Sequence, residues 1–189
     1  MTPLADAFRS IRYPKVPRDW HQRFLYLAAS VAAWSKDPST KVGAVAVRDR
    51  RILSTAYNGL PAGIIDSPER LGNREARLAL TVHAEANLLT HAARHGICLT
   101  GSTVYIYPLL PCSNCAVLLI QAGIERVIVP DFVQPMRWAD SAARAAQAFL
   151  EAGVGVERIA VEGPLNIAAA SNPDRDDVEE TVEASLRLV

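Results

Sequence analysis

The sequence is short of cysteine: three stand in 189 residues, at positions 98, 112 and 115. Three thiols cannot build a disulfide framework, so the fold must rest on a hydrophobic core, and a reducing compartment is expected. Charge of neither sign is in excess. Lys+Arg and Asp+Glu each number 20, and the isoelectric point is about 6.9. No basic stripe stands out, so the electrostatic footprint of a nucleic-acid binder is missing. No apolar run approaches the ~18 residues of a membrane span, and no charged-then-apolar leader pattern opens the chain. A cytoplasmic location, with no membrane and no nucleic-acid partner, is therefore expected. Internal repeats are lacking too. Half of the residues are hydrophobic and 21% are charged, an ordinary globular balance. The length suits one α/β domain with a sizeable core.

Residues 1–17 carry Pro3, Pro14 and Pro17 and read as an irregular, mildly basic arm. From Arg18 to Trp34, apolar residues recur at three- and four-residue steps, the mark of one helix face, with Pro38 as the stop. Val45 to Val47 and Ile52 to Tyr57 flank a charged turn and read as a β-hairpin; Asn58 to Gly63 then breaks the pattern. Residues 64–82 form a long charged connection with room for a short helix, and connections of that length are uncommon unless functional. His83 to His95 reads as a helix closed by Gly96, with His95 matched to the negative end of its dipole. Thr103 to Tyr107 is strand-like, and Pro108-Leu109-Leu110 bends toward a helix that stops at Gly123. Arg126 to Val129, Arg137 to Ala152 and Val154 to Val161 follow as strand, helix and strand. The alternation predicts an α/β fold: a mixed five-stranded sheet inside a three-layer α/β/α domain. Residues 171–189 hold six acids. The expected organisation is an arm at 1–17, a domain at 18–162 and an acidic extension at 163–189.

The chemistry concentrates in two short stretches. His83-Ala84-Glu85 precedes Pro111-Cys112-Ser113-Asn114-Cys115, with twenty-nine positions from the histidine to the first cysteine. Cysteines three apart at a helix start point to the same side of its first turn, and Pro111 suits the first helical position. Unpaired N–H groups and the helix dipole lower a thiol's pKa there. His83, Cys112 and Cys115 form a nitrogen–sulfur set suited to zinc. Three protein ligands leave one tetrahedral position for water, as catalytic sites do and structural sites do not. Cys98, flanked by Ile97 and Leu99, reads as buried; His21, His91 and His95 have no ligand-like spacing. A Cys-x-x-Cys alone is as readily redox or structural, and a lone His-x-Glu means little. The two together, in this order, are the signature of zinc-dependent nucleobase deaminases. Asn58, just past a strand end, is well placed to reach a ligand, although a turn would use it as readily.

On these residues the chain resembles the cytidine/deoxycytidylate deaminase superfamily, most of all its deoxycytidylate (dCMP) deaminase branch. Ser35 to Ala44, Tyr57 to Gly63 and Leu119 to Ile124 are similar to that branch's segments before the first strand, after the second strand and after the cysteines. The likeness covers roughly residues 18–160. Leu110 stands where the branch usually has an aromatic, and Pro108 where Thr or Ala is usual. The resemblance implies hydrolytic deamination of dCMP to dUMP with ammonia release, a Zn2+ cofactor, and Glu85 as proton carrier. It also implies Asn58 as the sugar contact and backbone near Ala84 as the contact for the base carbonyl. A phosphate needs a cation or a helix N-terminus; Lys36, Lys41 and Arg137 are the candidates. The alternative within this chemistry is a free nucleobase such as cytosine or guanine, a nucleoside such as deoxycytidine, or a modified pyrimidine. An alternative of another class, a non-catalytic zinc-bearing assembly module, is opposed by the intact Glu85. Relatives in the branch are often hexamers, so a homo-oligomer, hexamer or dimer, is implied.

Overall fold

The computed structural model describes residues 19–132 and 134–161. The expected arm at 1–17 and the acidic extension at 163–189 lie outside the described residues. Helix α1 (Trp20–Ala32) leads into a hairpin of β1 (Gly43–Arg48) and β2 (Arg51–Tyr57). Two short helices follow, α2 (Pro68–Gly72) and α3 (Arg74–Leu80), then α4 (Ala84–Arg94), β3 (Thr103–Tyr107), α5 (Ser113–Gln121) and β4 (Arg126–Pro130). A 3-10 turn (Met136–Trp138), α6 (Ala139–Glu151) and β5 (Gly155–Ile159) complete the described order.

The sheet runs β2-β1-β3-β4-β5, with β1 antiparallel to both neighbours and β3, β4 and β5 parallel. This is the mixed five-stranded sheet expected. Parallel neighbours need crossovers, and α5 and α6 supply them. Alternate residues of a strand face opposite sides of a sheet, and the core divides on that rule. Ala44, Ala46, Val104, Ile106, Val127 and Val129 join α4, α5 and α6 on one face. Val45, Val47, Tyr105 and Ile128 meet Phe24, Leu25 and Ala28 of α1 on the other. Leu88, Leu119 and Phe149 are fully buried in the larger cluster, each contributing ~1.5–3 kcal/mol of burial. Gly43 marks the closest approach of α1 to the sheet. A Cβ there would overlap the Ala28 carbonyl oxygen and the Ala32 amide nitrogen.

Several local expectations change. The first helix ends at Ala32, six residues before Pro38, because the chain turns at Ala33–Trp34. Trp34 is therefore 61% exposed, edge-on to Tyr57, instead of completing an apolar face. The charged connection holds two helices, capped by Ser67 and Asn73. Cys98, expected to be buried, is exposed. It lies in the turn between α4 and β3, where its apolar neighbours do not carry it inward. No helix among the described residues is long and apolar enough to cross a membrane.

Register fixes where chemistry can gather. Gly43, at the start of β1, pairs with Tyr57 at the end of β2 and with Tyr107 at the end of β3. Asn58, Val42 and the 108–111 bend therefore converge at one rim of the sheet. This is also the C-terminal end of parallel strand β3, the side on which open α/β sheets bind ligands.

Candidate active site

Two helix N-termini meet at that rim. His83 is the N-cap of α4 and Cys112 the N-cap of α5, and neither makes a side-chain capping hydrogen bond. Pro111 is thus one place outside the cap, fully buried, and not at the first helical position expected of it. The amide that Cys112 leaves open is served from α6: Ser113 N–H donates to Ser141 Oγ at 3.0 Å. Both cap side chains stay available to a third party. Cys115 falls in the first turn of α5 and Glu85 in the first turn of α4.

His83 Nδ1 lies 3.5 Å from Cys112 Sγ and 3.4 Å from Cys115 Sγ, and the three donor atoms are all within 4.8 Å of one another. A tetrahedral zinc with Zn–S of ~2.3 Å and Zn–N of ~2.0–2.1 Å holds such N and S atoms about 3.6 Å apart. The donor set fits zinc in chemistry and in spacing. Among the described residues this is the sole group of three or more His, Cys, Asp or Glu side chains so arranged.

The electrostatics follow from burial and from the two helix ends. Cys112's thiol is drawn down to about 4, first by its hydrogen bond with Cys115 and, against burial, by His83. Cys115 moves the other way, its thiol pushed up by the same bond and by burial. His83 is raised, mainly by its hydrogen bond with Cys112. Burial raises the carboxyl of Glu85, which is 4% exposed. A carboxyl so held is suited to taking up and returning a proton.

A cavity of about 260 Å³ opens from this group. One wall is the 37–42 loop and Asn58, a second is α3, and a third runs from Leu109 to Cys112 and on to Gln134–Ala142. The first wall is tied together by polar contacts. Asp37 Oδ1 accepts from the amides of Ser39 (2.8 Å) and Thr40 (3.0 Å). Asn58 Oδ1 accepts from Val42 N–H, and Asn58 Nδ2 donates to Thr40 O, both at 2.8 Å. Ser35 Oγ donates to Asn58 O at 2.8 Å. Arg77, 8% exposed, joins α3 to this wall. It donates to Ser39 Oγ (2.9 Å) and Leu71 O (2.5 Å), and its Nε lies 3.7 Å from Asp37 Oδ2.

Residues 18–130 match the model of the cytidine and deoxycytidylate deaminase zinc-binding region. The chain belongs to the cytidine and deoxycytidylate deaminase family. The uncharacterized deaminase in the luxG 3′ region of Aliivibrio fischeri is 39% identical over 139 residues, covering 72% of this chain and 91% of that one. The deoxycytidylate deaminase of Mycobacterium phage D29 is 40% identical over 124 residues, covering 59% and 94%. In fold, the chain is similar to the dCMP deaminase of cyanophage S-TIM5, solved with dCMP and dUMP. The TM-score is 0.56 at 23% identity, over 84% of this chain and 99% of that one. Zinc is the cofactor of this deaminase, and His83, Cys112 and Cys115 are the group suited to hold it.

The structure gathers most of the residues that the sequence pointed to. His83, Ala84, Glu85, Cys112, Asn58 and Arg137 all line the cavity; Cys115 does not, but its Sγ lies 3.4 Å from His83 Nδ1. Lys36 and Lys41 do not line it. Lys36 instead pairs with Asp66 at 2.8 Å on the exposed surface. Leu110, one of the departures from the branch, contributes a buried apolar surface, and its N–H donates to Gln134 Oε1 at 3.3 Å. Sequence reasoning passed over Arg74, Arg77 and Thr81, counting the arginines only as charges in a loop. The signal was there: Asn73 as a cap, with Arg74 and Arg77 three apart on one helix face.

Proposed function

We propose that this chain, through residues 18–162, converts dCMP to dUMP by hydrolysis, releasing ammonia. The observation that carries the reading is a zinc-type donor set of His83, Cys112 and Cys115 with the buried Glu85 beside it at the base of an open cavity. The choice of dCMP is supported by the named activity of the Mycobacterium phage D29 relative. A zinc ion held by those three residues would supply a water whose pKa falls toward ~7.

Glu85 is placed to take one proton from a water at the site and deliver it to cytosine N3, and then to take the proton of the new C4 hydroxyl and deliver it to the amino group leaving C4. Water adds its oxygen at C4, the C4–N bond breaks, and the products are the uracil ring and ammonia. The base lies against Leu110, Pro111 and Trp138, and the amide of Ala84, at the start of α4, faces its carbonyl. Asn58 keeps one N–H and one lone pair beyond its bonds to Thr40 and Val42. These serve the sugar, and the internal bonds hold the amide in a fixed orientation. The reading extends to a cytoplasmic homo-oligomer, hexamer or dimer, which sedimentation of the purified chain tests.

The experiment is ammonia release from dCMP, CMP, deoxycytidine, cytosine and guanine by the zinc-loaded protein. Turnover of dCMP ahead of the others is expected. A free base turned over in preference to dCMP would replace this substrate with the free-base alternative.

A further inference from the structure

We propose that Gln134 and Ser141 are positioning residues for Cys112, gripping the chain on either side of that zinc ligand. The inference concerns the ligand set and does not depend on which pyrimidine is deaminated. The fold holds the two cysteines differently. Cys115 lies inside the first turn of α5 and is buried, with Ala116 and Leu119 of the same helix in the core. Cys112 stands before the helix, at the end of the 108–111 bend, and is half-buried. The α5 ladder reaches it through its carbonyl oxygen, which accepts from Ala116 N–H at 2.9 Å.

Both grips come from the stretch between β4 and the first turn of α6. Gln134 Oε1 accepts from Leu110 N–H at 3.3 Å, two residues before Cys112. Ser141 Oγ accepts from Ser113 N–H at 3.0 Å, one residue after it, and the two serine hydroxyls lie 3.3 Å apart. The Ser113 amide is one of those that a helix start leaves outside its own ladder. Pro111 and Cys112 alone separate the gripped amides, and the proline ring fixes φ at one of the two. Little freedom is left in where Cys112 stands against His83. Ser141 also rides on a rigid support. Its neighbour Ala142 is buried, and Ala145 and Phe149 pack fully buried in the same core as Ala116 and Leu119. Gln134 and Ser141 both line the cavity, so one wall of the pocket also sets a zinc ligand. Groups that orient a metal ligand without touching the metal typically change its affinity by about 10–100-fold.

Zinc affinity, by competition with a chromogenic chelator, and the visible absorption of the Co2+-loaded protein are the test. Ser141→Val and Ser141→Thr are nearly isosteric and differ by the hydroxyl. Gln134→Leu and Gln134→Glu differ by the acceptor oxygen. Ser141→Val and Gln134→Leu are each expected to weaken zinc binding by about tenfold or more and to shift the cobalt bands. Ser141→Thr and Gln134→Glu should recover most of that loss. Phe149→Leu, which loosens α6 away from both grips, should lower Tm and leave zinc affinity at the wild-type value. The Gln134 pair, set in a loop, still reports if a substitution in α6 unfolds the chain. Unchanged zinc affinity in Ser141→Val and Gln134→Leu overturns the proposal. So does a loss that Ser141→Thr and Gln134→Glu share in full, or one that Phe149→Leu reproduces, because packing alone would then explain it. A Cys112→Ala protein with full zinc would remove the ligand itself, and the proposal with it.

Discussion

Arg77→Ala is the perturbation whose cost can be built from the structure. The side chain ties α3 to the 37–42 loop through Leu71 O, Ser39 Oγ and the Asp37 carboxylate. The two ion-pair side chains are 10% and 12% exposed, so neither partner is well solvated. Removing one member of a buried pair typically costs ~3–5 kcal/mol, because the other charge is stranded. Asp37 keeps the amides of Ser39 and Thr40, and its separation from Nε is long at 3.7 Å, so the low end applies. The lost bonds from a charged donor, ~1.5–3 kcal/mol each, overlap with that figure and are not added to it. An effect of ~3 kcal/mol in a domain of this size lowers Tm by ~6–12 °C. Thermal unfolding by circular dichroism reads it directly. Arg77→Lys, which keeps the charge and loses the fork, should recover part of the loss. Adding Asp37→Asn to Arg77→Ala should cost less than the two single changes predict. An Arg77→Ala protein that melts within ~2 °C of wild type would refute the picture of a wall held by this residue.

Gly43→Ala is expected to destabilise by more than the ~1–3 kcal/mol usual for overpacking, because the neighbours it meets are α1 backbone; a Tm scan checks this. Zinc affinity is expected to fall as pH falls, since thiols must lose their protons to bind and Cys115's is held above its ordinary range by its bond to Cys112 and by burial. Competition with a chromogenic chelator between pH 8 and pH 6 reads that slope. Purified protein should carry one zinc per chain by elemental analysis, and Cys112→Ala and Cys115→Ala should each lose it; full zinc and activity in both variants would mean that the ligand set is wrong.

The strongly patterned parts of this fold are readable in one dimension. The hairpin, the helix after His83 and the strand at Thr103 carry periodicity or turn chemistry that few other structures would satisfy. The donor set is legible for a related reason: a histidine and two cysteines at helix starts have few other uses at that spacing. What escapes is decided by contacts between distant segments. Arg77 reads as one charge among many, and only its meeting with Asp37 and Ser39, thirty-eight and more positions away, makes it a buried brace. Lys36 is a phosphate candidate by sequence, in a segment similar to the deoxycytidylate deaminase branch, yet Asp66, thirty positions on, holds it at the surface. Cys98 has apolar neighbours in sequence, but local hydrophobicity does not bury a residue in an exposed turn.

The central claim is that Glu85 carries protons at a zinc centre it does not itself hold. Glu85→Gln is nearly isosteric and leaves His83, Cys112 and Cys115 untouched. Zinc content by elemental analysis and ammonia release from dCMP should be measured on the same preparation. The expected result is one zinc per chain, as in the wild type, with turnover reduced ~10²–10⁴-fold. A Glu85→Gln protein with its zinc in place and most of its turnover intact would contradict the account.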